Sequence, residues 1–237
     1  MTCRQWAATT AGVLLSCVGL APGAFAQPAD AGPSLRAHHV TIAGGVIWTG
    51  GYPIGDVTAQ LHGNAVGSSA PPFTLFQAES SVEAAAGAEA RVGFAMSRSL
   101  TLEIGVSYQR PGLTTSLSQD AEVAAVTIDA ERLSQYVVDI GALWQLPRVT
   151  LGRRARPFVV AGGGYLRQLY DERTLVETGS VYYAGGGVRY WLRGGDGQRR
   201  SVGLRADGRA LWRVEGVELA GQTRVAPVFA LHMFTEF

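Results

Sequence analysis

The stretch from Arg224 to Phe237, RVAPVFALHMFTEF, decides how the rest of the chain is interpreted. Successive side chains of a β-strand point to opposite faces of its sheet. One parity of the stretch is almost entirely apolar and consists of Val225, Pro227, Phe229, Leu231, Met233, Thr235 and Phe237. The other parity mixes small, polar and charged residues, namely Arg224, Ala226, Val228, Ala230, His232, Phe234 and Glu236. The pattern predicts a strand with one apolar face, long enough to span a membrane, for which about 9–11 tilted residues suffice.

A final strand that alternates in this way and ends in Phe resembles the assembly signal of bacterial outer-membrane β-barrels. The positions that match are Phe229, Leu231, Met233 and Phe237. The resemblance implies that the outer-membrane barrel insertion machinery reads this strand and is a partner of the chain. Taken alone, the segment also fits the last strand of a soluble β-sandwich, so the rest of the chain must decide between the two.

The N-terminus has the organisation of a secretory signal peptide over residues 1–26. Arg4 precedes an apolar stretch over residues 11–20, and Ala24-Phe25-Ala26 forms a small-residue cleavage pattern. A lipoprotein cleavage box at Leu14–Cys17 is the alternative, and it would leave a lipidated Cys17. We favour cleavage after Ala26, because that site lies at the more usual distance from the N-terminus. The expected organisation is a signal peptide over 1–26, an N-terminal tail over 27–37 and an outer-membrane β-barrel over 38–237.

The composition narrows the classes of partner. Both cysteines, Cys3 and Cys17, lie in the predicted signal peptide, so we expect no disulfide in the exported chain. Removing Arg4 from a formal net charge of +1 leaves zero, which argues against a nucleic-acid partner. No long apolar run follows the signal peptide, which argues against membrane-spanning helices. A β-barrel remains allowed, because only every second residue of its strands faces lipid.

Eight segments of the exported chain have the alternating pattern. They cover residues 38–49, 82–96, 100–109, 132–146, 156–170, 179–192, 201–214 and 224–237. The connections alternate between longer and shorter, as expected for a barrel with long external loops and short periplasmic turns. The predicted external loops are Gly50–Ser80, Pro111–Glu131, Asp171–Thr178 and Glu215–Thr223.

Aromatic residues gather near the ends of the predicted strands, where they would form the two girdles at the membrane–water interfaces. We place Trp48, Tyr108, Tyr170 and Trp212 at the external level and Phe94, Trp144, Tyr190, Trp191 and Phe237 at the periplasmic level. A soluble sandwich would not need this ordering. The sequence therefore predicts an all-β fold, an eight-stranded antiparallel up-and-down transmembrane β-barrel in the bacterial outer membrane.

Charged residues recur on the inward parity of the predicted strands. They are Glu89, Arg91, Glu103, Asp139, Arg189, Arg205, Asp207, Arg209 and Glu236, and we add Arg167. An eight-stranded barrel is just wide enough for side chains to fill its interior, and buried charges need partners. We favour a structural network that fills the lumen over the lining of a narrow ion path. Resemblance to small barrels of the outer-membrane protein A and X type likewise implies a charged interior.

No motif in the sequence supports catalysis, cofactor binding or metal binding. The two glycine runs at 162–164 and 185–187 lack the Lys and the following helix of a phosphate loop. No His-x-Ser pair occurs, and the adjacent His38 and His39 would diverge on a strand. We expect a non-enzymatic barrel whose external loops carry a structural or surface-interaction role. A small pore, or an enzyme acting on outer-membrane lipid, is the alternative. The expected partners are outer-membrane lipids and the insertion machinery, and we expect a monomer without cofactors.

Overall fold

The computed structural model describes residues 39–61, 73–118, 126–146, 149, 151, 154–170, 176–193, 200–215 and 223–237. The strands in this part of the chain are β1 Val40–Thr49, β2 Tyr52–Leu61, β3 Phe73–Val82, β4 Ala85–Ala95, β5 Leu100–Gln109, β6 Gly112–Ser118, β7 Val126–Gln145, β8 Ala155–Tyr170, β9 Val176–Arg193, β10 Ser201–Glu215 and β11 Arg224–Glu236. No helix in the described ranges has the length and apolar character needed to cross a bilayer. The predicted signal peptide over 1–26, the predicted N-terminal tail over 27–37 and residue 38 of the predicted barrel lie outside the described residues.

Eight of these strands close into a barrel, which confirms the predicted fold. Their order around the barrel is β1, β4, β5, β7, β8, β9, β10, β11, with every neighbouring pair antiparallel. The first and last strands complete the circle, with Thr41 opposite Glu236 and Thr49 opposite Val228. Closure gives the backbone N–H and C=O groups on both edges of each strand a hydrogen-bonded neighbour, as a lipid environment requires. A strand of ten residues, such as β1, spans about 25 Å of bilayer when tilted by about 40°.

The outer surface of the barrel is apolar around its whole circumference. Val46, Ile140 and Met233 are 61%, 60% and 60% exposed, on three different strands. Further exposed apolar residues on the same outer parity are Ile42, Val92, Ile104, Val106, Val138, Tyr182, Leu204, Phe229 and Leu231. An apolar surface of this extent is not stable in water, and the belt therefore faces lipid. Trp48, Tyr108, Tyr136 and Trp212 border it at one end, and Phe94, Trp144, Tyr190 and Phe237 border it at the other.

Four strand segments extend the sheet beyond the belt on the external side, where we had predicted loops. The ranges Gly50–Ser80 and Pro111–Glu131 contain β2, β3, β6 and the first part of β7, which pair with each other in the order β2-β3-β6-β7. The loop prediction for these two ranges was therefore wrong in its greater part. Of the other two predicted loops, residues 171–175 and 216–222 lie outside the described residues.

We call these four segments the protruding sheet, and its polarity is inverted relative to the membrane part. Outward positions carry polar residues such as Asp56, paired with Glu79, which in turn pairs with Ser116. The opposite face carries Val57, Ala78 and Leu117 in register and continues the inner face of the barrel. The inversion follows from the change of surroundings, because the outward face meets lipid below and water above. Mixed Gly, Ser and Thr composition concealed these strands in the sequence.

Three predicted orientations are also corrected. Tyr170, predicted in the external girdle, is partly buried and packs against the interior cluster that contains Tyr52 and Leu133. Arg167 is exposed on the outer parity of β8, opposite Tyr136, whereas its neighbour Gln168 is fully buried. The run of glycines earlier in β8 carries no polarity signal, so the parity of that strand could not be determined. Trp191, predicted in the periplasmic girdle, lies inside the barrel with its ring 5.7 Å from that of Phe234. Its position has the inward parity of Arg189, two residues earlier.

Candidate functional site

The barrel interior gathers the charged residues that the sequence placed on the inward parity. β4 provides Glu89 and Arg91, β5 Glu103, β7 Asp139, β9 Arg189, β10 Arg205, Asp207 and Arg209, and β11 Glu236. Eight of these nine side chains are buried, and Glu236 is half-buried at the periplasmic end. The alternation along each strand is sufficient to point them inward. All nine belong to one connected set of ion pairs, which we call the interior network.

The periplasmic half of the interior network is centred on Glu103. Arg205 Nη1 donates to both of its carboxylate oxygens, at 2.7 and 2.8 Å. Arg189 Nη2 donates to Glu103 Oε1 at 3.0 Å, and its Nη1 lies 3.5 Å from Glu236 Oε1. Arg205 Nε also donates to Asp207 Oδ1 at 2.8 Å. One carboxylate thus binds two arginines, and each arginine reaches a second acid.

The external half of the interior network is centred on Glu89. Arg209 binds its carboxylate with two parallel N–H···O bonds of 2.9 Å, the bidentate geometry that makes Arg–carboxylate pairs strong. Arg91 Nη2 donates to Glu89 Oε1 at 2.6 Å, and its Nη1 donates to Asp139 Oδ1 at 3.0 Å. Asp207 joins the two halves, because its second oxygen accepts a hydrogen bond from Arg209 Nε.

Tyr183 extends the network across two neighbouring strands, a role that the sequence analysis missed. Its phenol O–H donates to Asp139 Oδ1 at 2.7 Å. The ring can lie there because Gly162 and Gly141 occupy the positions beneath it. A Cβ atom on either glycine would approach the tyrosine oxygen to 2.5 or 2.3 Å. The ring also contacts two guanidinium groups, 5.6 Å from Arg91 Cζ and 5.4 Å from Arg209 Cζ. The glycines of β7 and β8 therefore provide space for a bulky neighbour.

His232 adds a further polar group to the external half. It is 1% exposed, and its Nε2 lies 2.6 Å from Glu89 Oε2. Its inward parity could be predicted from the sequence, but its partner could not, because Glu89 lies on β4, two places away around the barrel. The arrangement is a histidine held against a carboxylate that two arginines already occupy. Among the described residues, no hydroxyl or thiol group is hydrogen-bonded to its imidazole.

Aromatic rings cover the arginines at the periplasmic end. Arg205 Cζ lies 4.8 Å from the ring centre of Phe158, and Arg189 Cζ lies 5.3 Å from that of Phe234. Trp191 packs edge-on against Phe234 and donates its indole N–H to Glu236 Oε2 at 3.1 Å. Stacking on an aromatic face stabilises a guanidinium that has little water around it. The periplasmic end of the lumen is therefore filled by rings and ion pairs together.

A layer of amides lies at the external end of the lumen, where no site was predicted. Gln168 Nε2 donates to Gln135 Oε1 at 3.2 Å, and Gln135 Nε2 donates to Gln109 Oε1 at 3.3 Å. Arg213 Nη1 also donates to Gln135 Oε1, and its guanidinium carbon lies 4.3 Å from the ring centre of Tyr52. Arg213 is a buried arginine of the lumen that was not among the predicted inward residues. Inward parity could have found it, because it continues the series of Arg205, Asp207 and Arg209.

A cavity of about 30 Å³ separates this amide layer from the interior network. Its walls combine apolar side chains such as Ile47, Val137 and Leu211 with the polar groups of Ser107 and Gln109. That volume holds about two water molecules, since one water needs at least about 10–15 Å³. The lumen thus consists of an amide layer and the interior network, with a small cavity between them. The main interaction in the interior is the pairing of buried opposite charges.

The residues of the predicted assembly signal lie on the outside of β11. Phe229, Leu231, Met233 and Phe237 are all more than half exposed on the lipid-facing surface. The ring of Phe237 lies 5.5 Å from the guanidinium carbon of Arg200. Recognition of this strand by the insertion machinery stays a prediction.

Comparison with known proteins finds likeness in fold alone. No family model and no curated protein matches the chain. It is similar to the outer membrane protein OprG from Pseudomonas aeruginosa, with 9% identity, a TM-score of 0.48 and coverage of 85% of this chain and 97% of that one. It is also similar to Ail, the attachment invasion locus protein of Yersinia pestis, with 8% identity, a TM-score of 0.42 and coverage of 85% of this chain and 100% of that one. A third similar structure is the outer membrane protease OmpT from Escherichia coli, with 7% identity, a TM-score of 0.33 and coverage of 86% of this chain and 97% of that one.

The assignment of the chain rests on its own geometry. Eight antiparallel strands close on themselves, an apolar belt of membrane height surrounds them, and the ion pairs are turned inward. These are the features of the proteins that cross a bilayer with strands. The chain is a small β-barrel protein of the bacterial outer membrane.

Proposed function

We propose that the chain is a non-enzymatic, non-conducting membrane anchor that presents the protruding sheet outside the cell, where the sheet has a surface-interaction role. The observation that carries the proposal is the contrast between the two ends of the molecule. The lumen is occupied by the interior network, whereas the strands β2, β3 and β6 continue well beyond the aromatic girdle. A chain that only had to fill the membrane would not need them.

The filled lumen supports an anchor rather than a pore. Glu89 and Glu103 are 4% and 2% exposed, and each of them is held by two arginines. An ion that crossed the lumen would have to separate these pairs, and separation of a buried pair costs about 3–5 kcal/mol. We infer that the resting barrel conducts little.

The protruding sheet supports the interaction role. Its strand β2 pairs with β3 on one side and lies at the edge of the sheet. Val57 is 48% exposed and Phe76 36% exposed on its inner face, beside a polar outer face. Exposed apolar side chains on a surface that is otherwise polar are typical of interaction sites.

The proposed organisation of the chain keeps a signal peptide over residues 1–26 and an N-terminal tail over 27–37, before a barrel that begins near residue 38. Its partners in the envelope are then the outer-membrane lipids and the barrel insertion machinery, and it acts as a monomer without cofactors. Mass determination of the protein purified from outer membranes tests this proposal, because cleavage after Ala26 and lipidation of Cys17 give different masses.

The function is tested by separating the two parts of the molecule. In a sheetless variant, residues 53–81 and 112–130 are each replaced by a short Gly-Ser turn, which leaves the eight membrane strands. We expect this variant to remain a heat-modifiable barrel with low conductance in planar bilayers, while cells that display it lose adherence to surfaces that the parent binds. High conductance of the parent, or equal adherence of cells with and without the sheet, would contradict the proposal.

A further inference from the structure

We propose that the periplasmic rim of the barrel binds the headgroups of anionic phospholipids. Four exposed arginines carry this inference: Arg98 in the turn between β4 and β5, Arg154 before β8, Arg193 at the end of β9, and Arg200 before β10. We call them the rim arginines. The inference concerns the lipid surroundings of the barrel and is independent of the role of the protruding sheet.

The rim arginines are not paired with any acid among the residues that the structure describes. Within the described part of the chain, none of their four guanidinium groups forms an ion pair or a side-chain hydrogen bond. The acid described at this end is Glu236, and it is occupied by Arg189, Trp191 and Ser201. At the opposite end, exposed acids such as Asp56, Glu79 and Glu83 accompany the exposed arginines. Among the described residues, positive charge is therefore in excess at this rim.

Each rim arginine has an exposed apolar residue within three positions in the sequence or in contact with it. Met96 precedes Arg98 by two residues and is 56% exposed, and Leu192, next to Arg193, is 47% exposed. Leu151, three residues before Arg154, is 56% exposed, and Arg200 stacks on Phe237, which is 51% exposed. These apolar groups are at the lower border of the belt. The guanidinium groups therefore lie at the level where the acyl chains end and the lipid phosphates begin.

The distribution of the rim arginines favours lipid over a folded or soluble partner. The turns that carry them join β4 to β5, β7 to β8 and β9 to β10, so they are spread around the eight-stranded circle rather than clustered on one side. A protein partner would need one continuous patch, whereas a lipid leaflet meets the whole rim. Arginine also binds the oxygens of a phosphate in a bidentate manner, which suits a phosphodiester headgroup.

The test is the preference of the reconstituted barrel for spin-labelled phosphatidylglycerol over spin-labelled phosphatidylcholine, measured by electron paramagnetic resonance. The comparison uses the parent, the variant Arg98→Gln/Arg154→Gln/Arg193→Gln/Arg200→Gln, and a control, Arg132→Gln/Arg167→Gln, which removes two exposed arginines from the other end. Heat-modifiable migration verifies that each variant is folded. We expect the parent to prefer phosphatidylglycerol by about fivefold at each rim arginine. The ratio of phosphatidylglycerol to phosphatidylcholine association should fall towards one in the quadruple variant and in high salt. The control should keep the ratio of the parent.

Four results would overturn the proposal. The parent could show equal association with the two lipids, or the quadruple variant could keep the preference of the parent. Displacement of the labelled lipid by glycerophosphoglycerol, which has the headgroup without acyl chains, would identify a site for a soluble phosphodiester instead. Loss of preference in the control to the same extent as in the quadruple variant would show that total charge, and not the rim, is responsible.

Discussion

Replacing Glu103 by Gln removes one negative charge from the centre of the lumen without changing the shape of the side chain. The carboxylate accepts hydrogen bonds from Arg205 at 2.7 and 2.8 Å and from Arg189 at 3.0 Å, and it is 2% exposed. Its loss leaves two buried guanidinium groups to share Asp207 and the half-buried Glu236. A hydrogen bond to a charged group contributes about 1.5–3 kcal/mol, and breaking a buried pair costs about 3–5 kcal/mol.

We therefore expect Glu103→Gln to lower the free energy of unfolding by about 3–5 kcal/mol. Urea unfolding in detergent micelles, followed by tryptophan fluorescence, measures the change. Glu79→Gln, on the exposed face of the protruding sheet, is the matched control and should change stability by less than about 0.5 kcal/mol.

A second variant separates loss of charge balance from loss of contacts. Glu103→Gln/Arg189→Gln restores the net charge of the parent's interior network, and it should be more stable than the sum of the two single changes predicts. A loss of less than about 1 kcal/mol in Glu103→Gln, or strict additivity in the double variant, would mean that water screens these charges. The reasoning from a filled lumen would then be refuted.

Three further predictions follow from the outer surface and the glycines. Deleting Phe237 should reduce barrel insertion and increase periplasmic degradation without affecting export, as measured by fractionation and immunoblotting; normal insertion would exclude its role in the assembly signal. Gly162→Ala should cost about 1–3 kcal/mol in urea unfolding, because the new methyl group collides with a tyrosine hydroxyl and a backbone carbonyl, whereas Gly44→Ala, where nothing lies within 4 Å, should be neutral. Equal effects of these two substitutions would argue against the packing described. Val138→Arg, in the middle of the belt, should lower stability in lipid vesicles by about 2–4 kcal/mol, while Gln77→Arg on the protruding sheet should not; similar stability of the two variants would place Val138 outside the hydrocarbon.

The barrel could be predicted from the sequence because inward and outward side chains alternate along its strands, and this alternation is visible even where the strands differ in composition. Glu89 and Arg91, or Arg205 and Arg209, keep their inward parity whatever their neighbours are. β8 shows where this reasoning ends. Its glycines have no side chain that would indicate which face is inward. An error of one residue assigns the whole strand to the opposite parity, and for this reason Arg167 was predicted to face inward instead of Gln168.

The partners inside the barrel could not be predicted in the same way. Parity states that Tyr183 points inward, but its contact with Asp139 depends on two glycines on neighbouring strands. The protruding sheet was missed for a different reason. Strands such as β3 carry Ser, Gln and Glu towards water, so they lack the apolar outer face that identified the membrane segments.

The interior network has a consequence for the order in which the barrel can assemble. The strands before residue 146 bring an excess of acids to it, whereas those after residue 154 bring an excess of arginines. Hydrogen bonds between the N-terminal and C-terminal groups of strands link residues far apart in the chain. Glu89 and Arg209 are 120 residues apart, and Glu103 and Arg205 are 102 residues apart. Neither half can neutralise its own charges, so a half-built sheet keeps a hydrated, charged concave face. The two halves attract each other as their concave faces approach, and water leaves the lumen when the first and last strands meet. The barrel is thus two oppositely charged half-cylinders, for which closure and drying of the interior are a single event.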